Sequence, residues 1–260
     1  MYGSAKEGCR LLYRPGKRAG RWALTLGLIL PGRPVATSLP FDPVQLLREL
    51  GYATDRFAIM RSTGRDQWVM SPRGPDADRV LVKVAAGNQV DSLRREVRVM
   101  SALANGGADL RIPQILSENH RTNLFAAAIE RVPTARMTFD LESALAIAVA
   151  LAQIAPSGIT HGDLAPWNIL DGQPPSLIDW ELAKEFEPGV DFAHYVLSSA
   201  YVASFLSAQQ AHWVLSERGG YLHRYARLAS QDLDETRRSV EQYVSRFLST
   251  RRVVDQDRQS

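Results

Sequence analysis

The spacing of apolar and polar residues divides the chain into a strand-rich first half and a helical second half. In the first half, alternating residues predict strands that are separated by short polar turns. The run at 22–30 has Trp22 and four leucines on one face and Thr25 and Gly27 on the other, which indicates an early strand. The predicted strands are 22–30, 56–61, 67–70, 80–84, 112–115 and 124–130.

Apolar residues at intervals of three and four predict the helices. A short helix at 43–50 precedes the strands at 56–70, and a longer helix at 89–104 follows the strand at 80–84. A strongly apolar helix at 141–155 leads through a Pro-Ser-Gly turn into a polar segment. The remaining predicted helices are one that opens at 188–192 and continues to about 206, and two more at 213–225 and 233–248.

Length and charge set wide limits on the kind of protein. The 260 residues suffice for one large domain or for two small domains packed across a cleft. The formal net charge is +3, and no aromatic residues are interleaved with the basic ones, so no nucleic-acid partner is expected. An arm before residue 41 is basic, which indicates either a solvated face or attraction to an anionic partner or membrane surface. Its basic residues are Lys6, Arg10, Arg14, Lys17, Arg18, Arg21 and Arg33.

The cysteine content and the apolar run at 22–30 bear on the compartment. The single cysteine, Cys9, excludes an intrachain disulfide and fits a reducing compartment. The run at 22–30 is too short to span a bilayer, which takes about 20 apolar residues. Basic residues precede the run, so a secretory signal is the alternative to a strand. We expect a strand, no transmembrane segment and a cytoplasmic location.

Two short segments in the second half carry residues suited to chemistry. The first is His161-Gly-Asp-Leu-Ala-Pro-Trp-Asn168, and the second is Ile178-Asp-Trp180. Phosphoryl transfer from a nucleotide needs a carboxylate that orients the attacking hydroxyl, and oxygen ligands that hold magnesium on the phosphates. Asp163, Asn168 and Asp179 fit these roles. Either segment alone could be a capped turn or a hydrogen-bonded strand end, but together and in this order they predict a phosphoryl-transfer site.

These segments resemble the catalytic loop and metal-binding segment of the aminoglycoside phosphotransferase and choline kinase branch of the protein-kinase-like superfamily. That branch has His-Gly-Asp with an Asn five positions after the Asp, and its metal-binding Asp lies in an Ile-Asp-Trp or Ile-Asp-Phe context. The resemblance implies that Asp163 is the catalytic base and that Asn168 and Asp179 bind magnesium. It also implies that His161 and Asp191 support the loop structurally, although an Asp at a helix start is also a common N-cap.

The resemblance further implies a nucleotide site in the first half. Lys83 resembles the strand lysine that contacts the α- and β-phosphates, and Glu96 on the next helix would be its ion-pair partner. The alternative for Lys83 is a charge on an edge strand, since burying an unpaired ammonium is costly. The turn after 56–61 would cover the nucleotide, although an ordinary hairpin turn explains the same residues, and the segment after 124–130 would be the hinge. The residues predicted there are Ser62, Thr63 and Gly64 in the turn and Glu130 and Val132 at the hinge.

The fold that the resemblance implies is α+β and two-lobed, of the protein-kinase-like type. An antiparallel sheet plus a helix would form an N-terminal nucleotide-binding lobe at 1–130, and a mostly helical C-terminal lobe at 131–260 would carry catalysis and the acceptor. The implied reaction moves the γ-phosphoryl group of ATP, or alternatively GTP, with Mg²⁺, to a hydroxyl of a small molecule. An aminoglycoside, an amino alcohol and a sugar are all compatible acceptors, and neither the acceptor nor the oligomeric state follows from the sequence.

Two alternatives stay open. A protein kinase would have Arg where this loop has Gly162, and the span from Asp179 to Asp191 is short for a regulated activation segment. A non-catalytic nucleotide-binding regulatory protein would explain the missing glycine-rich loop. Such a protein would have little reason to retain the complete set of Lys83, Asp163, Asn168 and Asp179. Magnesium-dependent turnover would separate the enzyme from the regulatory protein.

Overall fold

The computed structural model describes residues 12–13, 39–62, 65–104, 109–132, 140–154 and 158–256. These residues fall into two compact units, one made of the described residues up to 104 together with 112–132, and one made of 109–111 and the residues from 140 onward. The predicted strand at 22–30, Cys9 and the basic arm lie outside the described residues. The lobe boundary between 130 and 131 stays a prediction.

A sheet forms the centre of the first unit, and its strands include most of those that the alternation predicted. From β2 onward every neighbouring pair is antiparallel, whereas the two-residue β1 pairs in parallel with β2. The strand order across the sheet is β1-β2-β3-β4-β6-β5. The strands are β1 (Leu12–Tyr13), β2 (Phe57–Arg61), β3 (Gln67–Pro72), β4 (Val80–Ala86), β5 (Ile115–Arg121) and β6 (Leu124–Glu130).

Two helices pack against this sheet. Helix α1 (Pro43–Glu49) begins at the N-cap Asp42 and packs Leu46 and Leu47 into a core that also contains Val82. Helix α2 (Val90–Leu103) packs against β4 and β6. Because successive residues of a strand point to opposite faces, the valines of β4 that pack in the α1 core alternate with residues that face α2. This alternation directs the side chain of Lys83, the middle residue of β4, toward α2.

The strand predicted at 112–115 was wrong in its position. The structure begins β5 at Ile115 and continues it to Arg121. Pro113 has no N–H to donate to a strand ladder, which is why regular pairing starts only after it. In contrast, β6 covers the predicted residues from Leu124 to Glu130. Its three central alanines are fully buried in the sheet, as their small size allowed.

The second unit is mostly helical, in agreement with the α+β fold class. A two-stranded antiparallel ribbon, β7 (Ile169–Leu170) and β8 (Ser176–Leu177), accompanies the helices. Helix α4 is buried along most of its length and packs against α3, α5 and α7. The helices of this unit are α3 (Leu141–Gln153), α4 (Val190–Tyr201), α5 (Ala208–Leu215), α6 (Tyr221–Ala229) and α7 (Leu233–Gln256).

Two helix predictions in this unit were wrong in extent. Helix α4 ends at Tyr201 rather than near 206, because Ser207 begins α5 with a capping box to Gln210. The single pattern at 213–225 spans two helices, α5 and α6. Gly220 separates them in a left-handed conformation, with a φ of 69°. In the part of the chain that the structure describes, no helix is both long and apolar enough to cross a membrane.

Candidate active site

The two polar segments singled out in the sequence lie side by side in the second unit. Thr160, just before the loop, pairs with Lys184 through two backbone hydrogen bonds of 3.2 and 3.0 Å. The end of the loop forms a short 3₁₀ turn, Pro166–Asn168, and the carbonyl of Asn168 accepts from the N–H of Ile178 at 3.0 Å. These bonds join the His-Gly-Asp loop to the Ile-Asp-Trp segment through their backbones.

His161 lies fully buried between the two segments. Its Nε2 donates to the carbonyl of Ile178 at 3.0 Å, and its Nδ1 accepts from the N–H of Asp163 at 3.2 Å. Its ring packs edge-on against Trp180, with 4.6 Å between centroids. Burial lowers the pKa of His161, although the nearby carboxylates oppose that shift. A neutral imidazole with its proton on Nε2 satisfies both contacts, which are those expected of a structural residue.

Asp191 holds the backbone of the loop. Its two carboxylate oxygens accept from the N–H groups of His161 at 2.8 Å and Gly162 at 3.0 Å. Burial raises the pKa of Asp191, and these two hydrogen bonds oppose the rise. The N-cap of helix α4 is Gly189, so the alternative of Asp191 as an N-cap was wrong. The contact expected for a bracing carboxylate is therefore formed.

The side chains of Asp163 and Asn168 are in direct contact. The amide nitrogen of Asn168 donates to the backbone carbonyl of Asp163 at 2.8 Å and to its Oδ2 at 3.0 Å. Because both atoms of Asp163 can only accept, the amide orientation of Asn168 is fixed. Its oxygen is then the side-chain atom that can act as a cation ligand.

Asp179 has an unusual backbone conformation, with φ 67° and ψ 64°. Left-handed conformations of residues other than glycine cost on the order of 1–3 kcal/mol and concentrate at functional sites. The flanking residues hold it there, since Ile178 is bonded to Asn168 and the indole N–H of Trp180 donates to the carbonyl of Leu177 at 3.0 Å.

The donor atoms of Asn168 and Asp179 fit magnesium, which prefers hard oxygen ligands and is usually bound through one or two carboxylates together with substrate phosphates. Among the described residues, no three His, Cys, Asp or Glu side chains cluster as a complete cation site. An amide oxygen and one carboxylate would supply only part of a cation site, and nucleotide phosphates would supply further ligands.

Gly162 is required by the shape of the loop. Its φ is 80°, and a Cβ at this position would lie 2.3 Å from the carbonyl oxygen of Leu182. We expect Gly162→Ala to lower the free energy of unfolding by about 2–4 kcal/mol, from the left-handed backbone and the steric clash together. Gly220→Ala is the matched control, because Gly220 has a φ of 69° and open space around it. Urea unfolding should show a small loss for Gly220→Ala, and an equal loss in the two variants would contradict the clash.

In the first unit, Lys83 and Glu96 form the predicted ion pair. Lys83 Nζ lies 2.5 Å from Glu96 Oε1, and the Glu96 side chain is only 3% exposed. Lys83 occupies the middle of β4, which lies between β3 and β6, so the edge-strand alternative was wrong. Glu96 offsets the cost of placing a lysine charge in the interior of the sheet. The role of Lys83 toward a nucleotide stays a prediction.

The other residues predicted to bind the nucleotide have ordinary structural contacts. Ser62 donates its N–H to the carbonyl of Gln67 at 2.8 Å, as in a hairpin turn, whereas Thr63 and Gly64 lie outside the described residues. Glu130 donates its N–H to the carbonyl of Gln114 at 2.8 Å, and Val132 is buried. Their proposed contacts with a nucleotide stay predictions.

Sequence reasoning missed a residue that contacts Asp163. His194, on α4, has its Nε2 3.0 Å from Asp163 Oδ1, and its Nδ1 is hydrogen-bonded to the hydroxyl of Tyr243 on α7. One signal for His194 was available, since it follows Asp191 by three residues, and residues at this spacing share a helix face. No comparable signal pointed to Tyr243, whose spacing is that of a core aromatic residue.

A cavity of about 890 Å³ lies between helices α4, α5, α6 and α7. Apolar side chains such as Leu197, Leu222 and Val244 line much of it. The charged residues at its wall include both signs, and Glu217 pairs with Arg237 at 3.0 Å. The volume is within the range of small-molecule sites. Two of its walls, α4 and α7, are the helices that carry His194 and Tyr243.

The second unit is similar in sequence to a family of phosphotransferases. Residues 134–237 match the model of the phosphotransferase enzyme family known as APH, which confirms the resemblance predicted from the sequence. A probable serine/threonine-protein kinase of Dictyostelium discoideum is 26% identical over 163 residues, which cover 56% of this chain. The chain spans 27% of that relative's length.

Two solved structures are also similar. An aminoglycoside-3'-phosphotransferase of type VIII has 17% identity and a TM-score of 0.44, with 70% of this chain and 90% of that one covered. An aminoglycoside phosphotransferase from Streptomyces rimosus has 15% identity and a TM-score of 0.45, with 76% and 94% covered.

Proposed function

We propose that the protein transfers the γ-phosphoryl group of ATP to a hydroxyl of a small molecule, with Mg²⁺. The observation that carries this proposal is the contact between Asp163 and Asn168, within a loop that is hydrogen-bonded to the segment of Asp179. Phosphoryl transfer depends on positioning and charge stabilisation, and this loop supplies a carboxylate and cation ligands on a fixed backbone. A cytoplasmic location, where ATP is available, goes with this proposal.

Each proposed role follows from the chemistry of the residue. In the first unit, Lys83 would contact the nucleotide phosphates, and Glu96 would hold its ammonium in place. In the second unit, Asp163 would orient the acceptor hydroxyl and take its proton, while Asn168 and Asp179 would hold magnesium. The cation would neutralise charge on the phosphates. His161 and Asp191 would keep the loop in the shape that this arrangement requires.

ADP release with Mg-ATP tests the proposal. The acceptors should include aminoglycosides, choline, homoserine, sugars, nucleosides and small apolar alcohols, and GTP should be compared with ATP. Acceptor-dependent ADP release that disappears with EDTA would support the proposed function. Binding of Mg-ATP with no turnover on any acceptor would favour the non-catalytic nucleotide-binding protein instead.

The cavity between helices α4, α5, α6 and α7 is our candidate for the acceptor site. Its walls are largely apolar, and its charged residues are of both signs, including the Glu217–Arg237 pair. A wall of this kind favours an acceptor with a substantial apolar part, because an ammonium-rich molecule would lose hydration without enough carboxylates in return. We therefore expect small hydroxylated molecules with an apolar part to be better acceptors than aminoglycosides.

Filling the cavity should weaken acceptor binding. Ala208 lines the cavity but is exposed, so Ala208→Trp adds volume there without disturbing the core. The KM for the acceptor should rise about tenfold, which corresponds to a loss of about 1.4 kcal/mol of binding free energy. The KM for ATP should stay unchanged. The control is Gln209→Trp, at an exposed position that does not line the cavity. Equal acceptor KM values in both variants would place the acceptor elsewhere and leave phosphotransfer itself intact.

A protein kinase is the second candidate, because the Dictyostelium relative carries that name. Gly162 counts against it, since the loop geometry excludes a side chain where protein kinases have Arg. Adding casein and a basic protein to the acceptor panel separates the two candidates. Phosphate incorporation into protein without small-molecule turnover would favour the protein kinase.

A further inference from the structure

The carboxylate of Asp163 contacts a second side chain besides that of Asn168, namely His194. His194 Nε2 lies 3.0 Å from Oδ1, and the amide of Asn168 donates to Oδ2 at 3.0 Å. The side chains of Asp163 and His194 are only 9% and 12% exposed. Both oxygens are therefore held by protein groups in a setting where little water competes with them.

The imidazole of His194 is itself held in place by helix α7. Its Nδ1 is hydrogen-bonded to the hydroxyl of Tyr243, and the rings of Tyr243 and Phe247 lie 5.9 and 6.1 Å from its centroid. Burial raises the pKa of Tyr243, so its phenol keeps its proton at neutral pH. A neutral His194 can accept that proton at Nδ1 and carry its own at Nε2, whereas a protonated His194 has hydrogens on both nitrogens. Either form presents an N–H to Asp163, because an ionised carboxylate can only accept.

Helix α4 thus contacts the loop through two of its side chains. Asp191 holds the loop backbone, and His194, one turn later on the same face, holds the carboxylate of Asp163. A carboxylate bonded on both oxygens cannot rotate without breaking one of these bonds. Each oxygen can accept more than one hydrogen bond, so an acceptor hydroxyl can still approach the same group.

We propose that His194 is a positioning residue for Asp163, and that Tyr243 fixes its imidazole in the orientation that places an N–H on the carboxylate. The proposal rests on the proposed function, because the geometry matters only if Asp163 receives an acceptor hydroxyl. A displacement of about 1 Å in a reacting group can cost about 100-fold in rate. Loss of the His194 contact frees the carboxylate to make such displacements.

Two substitutions of His194 separate positioning from packing. The amide nitrogen of Gln reaches about as far as Nε2, whereas that of Asn reaches only about as far as Nδ1. His194→Asn should lower kcat by about 10- to 100-fold, and His194→Gln should retain kcat to within about fivefold. The KM for ATP should stay within about twofold in both variants, because neither removes a predicted nucleotide contact. His120→Asn, at an exposed histidine of the first unit, is the control for the assay.

The kinetic outcomes decide the role of His194. An unchanged kcat in His194→Asn would overturn the proposal. An equal loss in both variants, with a raised KM for ATP and a lower melting temperature, would also overturn it, because that pattern indicates a packing role. Tyr243→Phe keeps the ring and removes the hydroxyl, so a smaller fall in kcat than that of His194→Asn is expected.

The imidazole ¹⁵N spectrum keeps failure of this proposal distinct from failure of the proposed function. In the wild-type protein, the signal that disappears in His194→Gln should show a hydrogen on Nε2. In Asp163→Asn this signal should shift, because the new amide group can offer Nε2 a donor in place of an acceptor. If the protein turns over no acceptor and the signal still shifts, the contact stands and the positioning role falls with the proposed function. A signal that Asp163→Asn leaves unchanged overturns the contact itself.

Discussion

Replacing Asp163 by Asn is expected to reduce kcat by about 10²- to 10⁴-fold, the range that a positioned general base contributes. An amide cannot take the proton of the acceptor hydroxyl, whereas its size and its oxygen preserve the contact with Asn168. The backbone carbonyl that accepts from Asn168 is unchanged. Binding of Mg-ATP should therefore be largely retained. Steady-state ADP release with the best acceptor, together with ATP binding by calorimetry, measures both quantities.

A matched control removes a charge elsewhere in the second unit. Asp171 follows β7 and is partly exposed, so Asp171→Asn makes the same chemical change outside the loop. Its kcat should stay close to that of the wild type. Wild-type turnover in Asp163→Asn would show that the loop carboxylate is not the base. A large drop in melting temperature would instead attribute the loss to folding, since Asp163 is buried and its substitution could disturb the loop.

The part of the fold that the sequence predicted well depends on local patterns. Lys83 is the one charged residue of β4 and Glu96 is the one glutamate of α2, and the resemblance to the kinase pattern paired them before their distance was known. The loop was predictable because its functional residues lie within eight positions of each other. Patterns of this kind involve residues that are close together in the sequence, so they can be recognised before the fold is known.

Errors arose where tertiary packing or capping interrupts a pattern. The apolar pattern after Asp191 continues past Tyr201, but the capping box at Ser207 starts a new helix and breaks it. The contact of Tyr243 with His194 joins residues 49 positions apart, and it depends on how α7 packs on α4. Periodicity places an aromatic residue on an apolar face but does not say which polar group it meets there. The cavity could not be predicted either, because four helices must be placed before it exists.

Replacing Asp179 by Asn should strongly reduce magnesium-dependent turnover while leaving the backbone intact. Asn, like Asp, tolerates the left-handed conformation that Asp179 adopts at φ 67°. The substitution therefore removes the charge of a cation ligand without adding backbone strain. Loss of an outer-sphere partner alone lowers metal affinity about 10- to 100-fold, so loss of a charged ligand should cost at least about 100-fold. A magnesium titration of ADP release should show a midpoint raised by that factor, with a lower maximal rate.

The exposed Glu185 supplies the control, because Glu185→Gln removes a negative charge a few residues after Asp179. If its magnesium midpoint stays at the wild-type value, general electrostatics cannot explain the effect of Asp179→Asn. A shift of equal size in both variants would argue against Asp179 as a ligand. Asp179→Ala gives a further separation, since it removes the ligand and adds the left-handed cost of about 1–2 kcal/mol. It should therefore unfold at a lower urea concentration than Asp179→Asn while needing at least as much magnesium for turnover, which distinguishes the backbone cost from the loss of the cation.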